Sequence, residues 1–132
     1  MSIDVAWLRV GSVIWVRLSD SVMLEEIAQI QAGIDCLLAD TTPDQTFTIL
    51  LDAMNLTDYP RDVVQLHKML KGRQSDPRIK TTLYLTDDYY QRHIIDLVSR
   101  IMRKRVRTFD TYAQVVHFLN MPEEANFPPE TR

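Results

Sequence analysis

The stretch Phe47-Thr48-Ile49-Leu50-Leu51 most limits what this chain can become. It is too short for a helix, almost continuously apolar, and bounded by the polar segments 40–45 and 52–62. Such a run reads as a strand buried on both faces, the kind that occupies the middle of a parallel sheet covered by helices. The flanking sequence must then supply those helices.

It does so by switching period. Ahead of the run, residues 3–20 read as two strands around Gly11-Ser12. Gly11 at the first central position predicts a two-residue type II′ turn, which sets Val10 opposite Val13, Leu8 opposite Trp15 and Trp7 opposite Val16. Leu24, Ile27, Ile30, Ile34 and Leu37 then recur at helical spacing, predicting a helix over 24–39 with Ser21 as N-cap. Gly33 within it costs about 1 kcal/mol relative to Ala, so it is expected to mark a close approach of the sheet. After the central strand a short helix is expected over 61–71, capped by Thr57 or Asp58, with Pro60 in its first turn and Gly72 at its end. Thr81–Leu85 is a further strand, and Asp87 or Asp88 caps a helix with Ile94, Leu97, Val98 and Ile101 on one stripe. Val106–Phe109 is a brief strand and Thr111–Leu119 a closing helix.

The resulting order, β-β-α-β-α-β-α-β-α, predicts an α/β fold: a mostly parallel sheet with an N-terminal β-hairpin and helices on both faces. Residues 1–120 form one domain, and the Pro- and Glu-rich residues 121–132 a mobile tail.

Charge and cysteine content narrow the functional classes. A net charge of −3 over 132 residues argues against generic nucleic-acid or anionic-membrane binding. Cys36 is the only cysteine, so no disulfide or thiolate zinc site is expected. No apolar run approaches the ~20 residues of a membrane span, and the first residues lack a secretory pattern. A cytoplasmic protein without membrane insertion, metal or cofactor is the expectation.

The segments "ILLDAMNLTDYPRDVVQLHKML" and "KRVRTFDTYAQVVHFL" resemble the SpoIIAA-like, STAS-like family over about residues 12 to 119. In such proteins a buried strand ends in Leu-Asp, here Leu51-Asp52, and a late strand ends near a Phe, here Phe109, before a terminal helix. The phosphoacceptor signature Asp-Ser-Ser/Thr-Gly of STAS anti-sigma-factor antagonists is replaced by Leu56-Thr57-Asp58-Tyr59-Pro60-Arg61-Asp62. The resemblance therefore points to an uncharacterised branch, for which it implies no established reaction.

Several residues carry chemistry on paper. Asp52 is expected at the carboxyl end of the central strand, where ligands bind in open α/β sheets, and its bland role is to accept bonds from loop amides. A receiver-type phosphoacceptor site does not fit, because Asp87-Asp88 follows Asp52 where a receiver's acidic pair precedes it. Thr57 is either a phosphate carrier at a helix N-terminus or simply the cap, and the cap reading is preferred. The segment Arg100–Arg107 holds five basic residues in eight, read as a nucleic-acid contact, as cations at a helix C-terminus, which the overall acidity favours, or as a patch for an acidic partner. His67, His93 and His117 fall on separate helices without metal spacing, Cys36 is expected to pack as a small apolar residue, and Trp7, Trp15 and Tyr84 as strand packing.

The preferred function is a non-enzymatic regulatory or interaction module with an unknown protein partner. Its face would be the loop Asn55–Asp62 and the following helix to Lys71, with Asp52, Asn55, Thr57, Asp58 and Arg61 as the binding residues. The alternative is a small apolar or anionic ligand between sheet and helix, and a third reading is an enzyme pairing Asp52 with His67 or His93. A homodimer is expected as a possibility, pairing by two-fold symmetry through the two-stranded edge and apolar helix faces.

Overall fold

The computed structural model describes residues 3–59, 61–62, 64, 77–102 and 106–120. Most of the expected helix over 61–71 with its stop at Gly72, along with His67, Arg103, Lys104, Arg105 and the tail 121–132, lies outside these residues.

Strands β1 (Ile3–Arg9) and β2 (Val13–Ser21) form an antiparallel hairpin. A short 3-10 turn, Leu24–Glu26, leads into helix α1 (Ile27–Leu38). Strand β3 (Phe47–Asp58) follows, then β4 (Ile79–Leu85), helix α2 (Tyr89–Met102), strand β5 (Val106–Phe109) and helix α3 (Tyr112–Phe118). The five strands lie in the order β1-β2-β3-β4-β5, parallel except for the opening pair. The run read first, Phe47–Leu51, is thus in the central strand, and Leu50 is fully buried there.

Each face of the sheet has its own core. On one, Ile14, Val16, Leu18, Ile49 and Tyr84 pack with Ile34 and Leu38 of α1, and Ile95 of α2 closes against the same cluster. On the other, Val13, Trp15, Leu50, Leu83 and Leu85 pack with Val115 and Leu119 of α3 and its C-terminal end. The placement follows from handedness. Right-handed crossovers along a strand order that advances in one direction put the connecting helices α1 and α2 on one side. The terminal helix α3 is free to cover the other face. Arg9 anchors its far end by donating from Nη1 to the Leu119 carbonyl at 3.2 Å.

Three local expectations need correction. Gly11, with φ +80°, takes the second central position of the hairpin turn, and the Ser12 N–H donates to the Arg9 carbonyl at 3.0 Å. That arrangement replaces the type II′ turn, and a register shift between Trp7 and Arg9 sets Trp7 opposite Ile14 and Ala6 opposite Trp15. Ser21 is the last residue of β2 and no cap. Glu26 precedes α1 without a capping hydrogen bond from its own side chain to the helix, its Oε1 accepting instead from the Met23 N–H. Cys36 is exposed on α1 rather than packed, because the buried stripe there runs through Ile34 and Leu38.

Gly33 does mark a close approach. A Cβ at this position would stand 2.8 Å from Cγ2 and 3.1 Å from Cβ of Val5, so α1 rests directly on β1.

Candidate functional site

The strand expected to end at Asp52 continues for six further residues, to Asp58. Between Arg17 opposite Asp52 and Ser19 opposite Asn55, β3 contains one residue more than β2. This bulge interrupts the two-residue alternation, so that Ala53 and Leu56, three apart, pack against the same core. Sequence periodicity loses a strand at such a point, which is why 52–58 reads as a loop. Thr57 and Asp58 are therefore strand residues, not helix caps. The Thr57 hydroxyl donates to the Asp20 carbonyl at 2.6 Å, and the Val22 N–H to the Asp58 carbonyl at 3.1 Å.

The extension separates the expected site residues into two places. Asp52, only 3% exposed, sits in mid-strand between Arg17 of β2 and Leu85 of β4. Its side chain lies on the α3 face. Trp15 donates its indole N–H to Oδ2 at 2.9 Å, the Tyr112 hydroxyl donates at 3.0 and 3.2 Å to the two oxygens, and the Met54 N–H donates to Oδ1 at 3.1 Å. The Arg17 guanidinium stacks 4.9 Å from the Trp15 ring. Asp52 thus ties α3 to the middle of the sheet through a closed polar cluster within an apolar layer. His93 cannot serve it, because it is exposed on α2, across the sheet.

The second place is a rim at the carboxyl ends of β3 and β4, where Asn55, Thr57, Asp58 and Arg61 are exposed. Arg61 lies 3.9 Å from Asp58 and stacks 4.9 Å from the Tyr59 ring, and the Tyr59 hydroxyl donates to Asp88 Oδ2 at 3.2 Å. Asp88, rather than Asp87, caps α2, its Oδ1 accepting from the N–H groups of Tyr90 and Gln91. Behind it, buried Thr86 accepts from the Asp88 N–H at 3.1 Å and donates to Gln91 Oε1 at 2.6 Å. Tyr89 is 81% and Tyr90 56% exposed beside this cap. Sequence reasoning placed Tyr59 within the Asn55–Asp62 face without singling it out, and missed Tyr89 and Tyr90. The cluster Tyr-Tyr after Asp87-Asp88 was visible, but only the fold shows that Tyr59 reaches Asp88 next to it.

Burial and the Asp52 charge raise the Tyr112 phenol well above its ordinary value of 10.0, with Arg17 opposing. Burial also raises Tyr84, reinforced by Tyr59 and Asp88. With folded-state values above the unfolded ones, the unfolded chain gives up these protons first as pH rises. Stability should be complete below pH about 10 and decline above it. Urea titrations at successive pH values check this, and Tyr84→Phe combined with Tyr112→Phe should flatten the alkaline decline.

Among the described residues no three of His, Cys, Asp and Glu gather as metal ligands, and no helix is long and apolar enough to cross a membrane. No family model matches the chain, and no curated protein matches it. A search of solved structures finds the crystal structure of an uncharacterized protein of the DUF3478 family with a SpoIIAA-like fold, from Shewanella loihica PV-4. The two superpose with a TM-score of 0.61 over 89% of this chain and 91% of that one, at 11% identity. This chain has a SpoIIAA-like fold. Within that SpoIIAA-like frame this chain carries the long β3 with its bulge, the sealed Asp52 and the tyrosine rim.

Proposed function

We propose that this SpoIIAA-like chain is a non-enzymatic interaction module of STAS-like type that docks a protein partner through the rim of Tyr59, Arg61, Tyr89 and Tyr90. The observation that carries the reading is the pair Tyr89 and Tyr90, held in solvent beside the Arg61–Tyr59 stack. Exposing two tyrosines on the first turn of a capped helix gains nothing for the fold. Tyrosine and arginine dominate the energetically important positions of interfaces, because they bury large areas at low entropic cost. Asp58, Asp87 and Asp88 frame the patch with polar groups, as a rim does. The sealing of Asp52 by Trp15, Tyr112 and Met54 supports a binding role over a catalytic one.

The test is affinity capture with the unaltered chain and with Arg61→Ala/Tyr89→Ala/Tyr90→Ala, quantified by mass spectrometry. All three residues are exposed, so thermal unfolding should be unchanged. Each residue of hot-spot quality is worth about 2 kcal/mol, roughly thirty-fold in affinity, so specifically captured proteins should disappear. Equal capture by both chains would remove the rim from the reading.

A further inference from the structure

Where β5 meets α3, an open groove of about 590 Å³ runs along the edge of the sheet. Among the described residues β5 pairs with β4 alone, so its outer side carries backbone groups that a further strand could take. Phe109 packs in the core on the α3 face, and strand alternation sets Arg107, two residues earlier, on that same face. The Phe109 and Phe118 rings are tilted 51° to each other with centroids 5.5 Å apart, and the Arg107 guanidinium lies 4.7 Å from the Phe118 ring. Arg107 is exposed, and among the described residues no carboxylate pairs with it. Asp110, the nearest acid in sequence, faces Arg92 at 3.6 Å instead. No residue of the tyrosine rim lines this groove.

We propose that the groove takes an extended acidic peptide of a partner protein. The peptide adds as a strand along the outer side of β5, with a carboxylate on Arg107 and an apolar side chain two residues away on the Phe109–Phe118 floor. Three observations select this occupant. The first is charge. Arg107 stands on the edge strand without a carboxylate, and an opposite charge on a neighbouring strand is the complement it lacks. The second is spacing. Side chains two apart on a strand share a face at about 7 Å, so a peptide in register with β5 must carry its acid and its apolar residue at that same interval. The third is shape. Small-molecule sites enclose most of their ligand, whereas an open groove beside an edge strand suits main-chain pairing with alternate side chains seated. Gln114 and His117 on the α3 wall add side-chain donors for a second polar group. A second copy pairing β5 to β5 is disfavoured, because it sets one Arg107 edge against another.

The experiment titrates the isotope-labelled full chain with two acetylated, amidated pentapeptides, Thr-Glu-Thr-Phe-Thr and Thr-Phe-Thr-Glu-Thr, which cover the parallel and antiparallel orders. Their Lys-for-Glu counterparts are the controls. One Glu peptide should shift the backbone amides of Arg107, Thr108, Phe109, Gln114 and Phe118, with a Kd of about 1 mM or tighter. Arg107→Glu, at an exposed site that should leave thermal unfolding unchanged, should weaken it about five-fold and make the Lys peptide the better binder. Methylating the peptide nitrogens of Glu and Phe, or that of the central Thr, blocks one set of backbone donors at a time, and one of the two should abolish binding. Unmoved amides, equal binding of Glu and Lys peptides, indifference to Arg107→Glu, or survival of both methylations would overturn the proposal. So would the same shifts on concentrating the chain without peptide, because the groove would then hold a second copy.

Discussion

Asp52→Ala should lower the unfolding free energy by about 3–5 kcal/mol, the usual cost of removing one member of a buried charged network. The loss of the carboxylate removes the acceptor that the Trp15 indole N–H and the Tyr112 hydroxyl share in an apolar layer. Each unsatisfied neutral donor costs about 1–3 kcal/mol, so these losses account for most of the effect. Because Tyr112 belongs to α3, the damage should be directional. Amide exchange should rise over α3 more than over α1, which packs on the opposite face. Asp52→Asn keeps the shape and one good acceptor, and should cost distinctly less than Asp52→Ala. Chemical denaturation with hydrogen exchange decides the matter. A loss below about 1 kcal/mol for Asp52→Ala would show that the cluster contributes little to holding α3.

Gly33→Val should cost about 3 kcal/mol, the upper end of overpacking penalties. An added Cβ alone stands 2.8 Å from Cγ2 and 3.1 Å from Cβ of Val5, and valine places two further carbons beyond it. Val5 cannot swing aside easily, because its branched side chain is stiff about χ1 and its Cβ moves only with the β1 backbone. Helix propensity works the other way but is smaller: replacing Gly by Ala gains about 1 kcal/mol in a helix interior. Gly33→Ala should therefore be mildly destabilising, with the contact outweighing the propensity. Adding Val5→Ala should recover much of the Gly33→Val loss, since the two sites touch and their effects cannot be additive. Urea midpoints of the unaltered chain, Gly33→Ala, Gly33→Val, Val5→Ala and the double variant Gly33→Val/Val5→Ala measure this. Additive losses would place the origin of the effect elsewhere than at the α1–β1 contact.

Much of this architecture is written in local patterns. Alternation marks β1 and β2, a continuous apolar run marks β3, and helical spacing marks α1 and α2. Each needs only neighbouring residues to be recognised. A cap at Asp87 or Asp88, which the structure assigns to Asp88, and Gly33 as a contact point belong to the same class, because caps and missing side chains act over a few residues. The resemblance of the Leu51-Asp52 and Phe109 segments to SpoIIAA-like proteins likewise holds at the level of the fold.

What only the tertiary structure decided depends on partners far along the chain. The bulge opposite Arg17–Ser19 carries β3 on to Asp58, because β2 supplies hydrogen bonds that no local signal in 52–58 announces. Asp52 is buried because Trp15, 37 positions earlier, and Tyr112, 60 positions later, converge on it. The rim exists because the extended β3 brings Tyr59 to Asp88, 29 positions away. Periodicity reports which face a residue prefers. Whether a carboxylate at that position is sealed or open is set by long-range pairing, whose energy no short window of sequence contains.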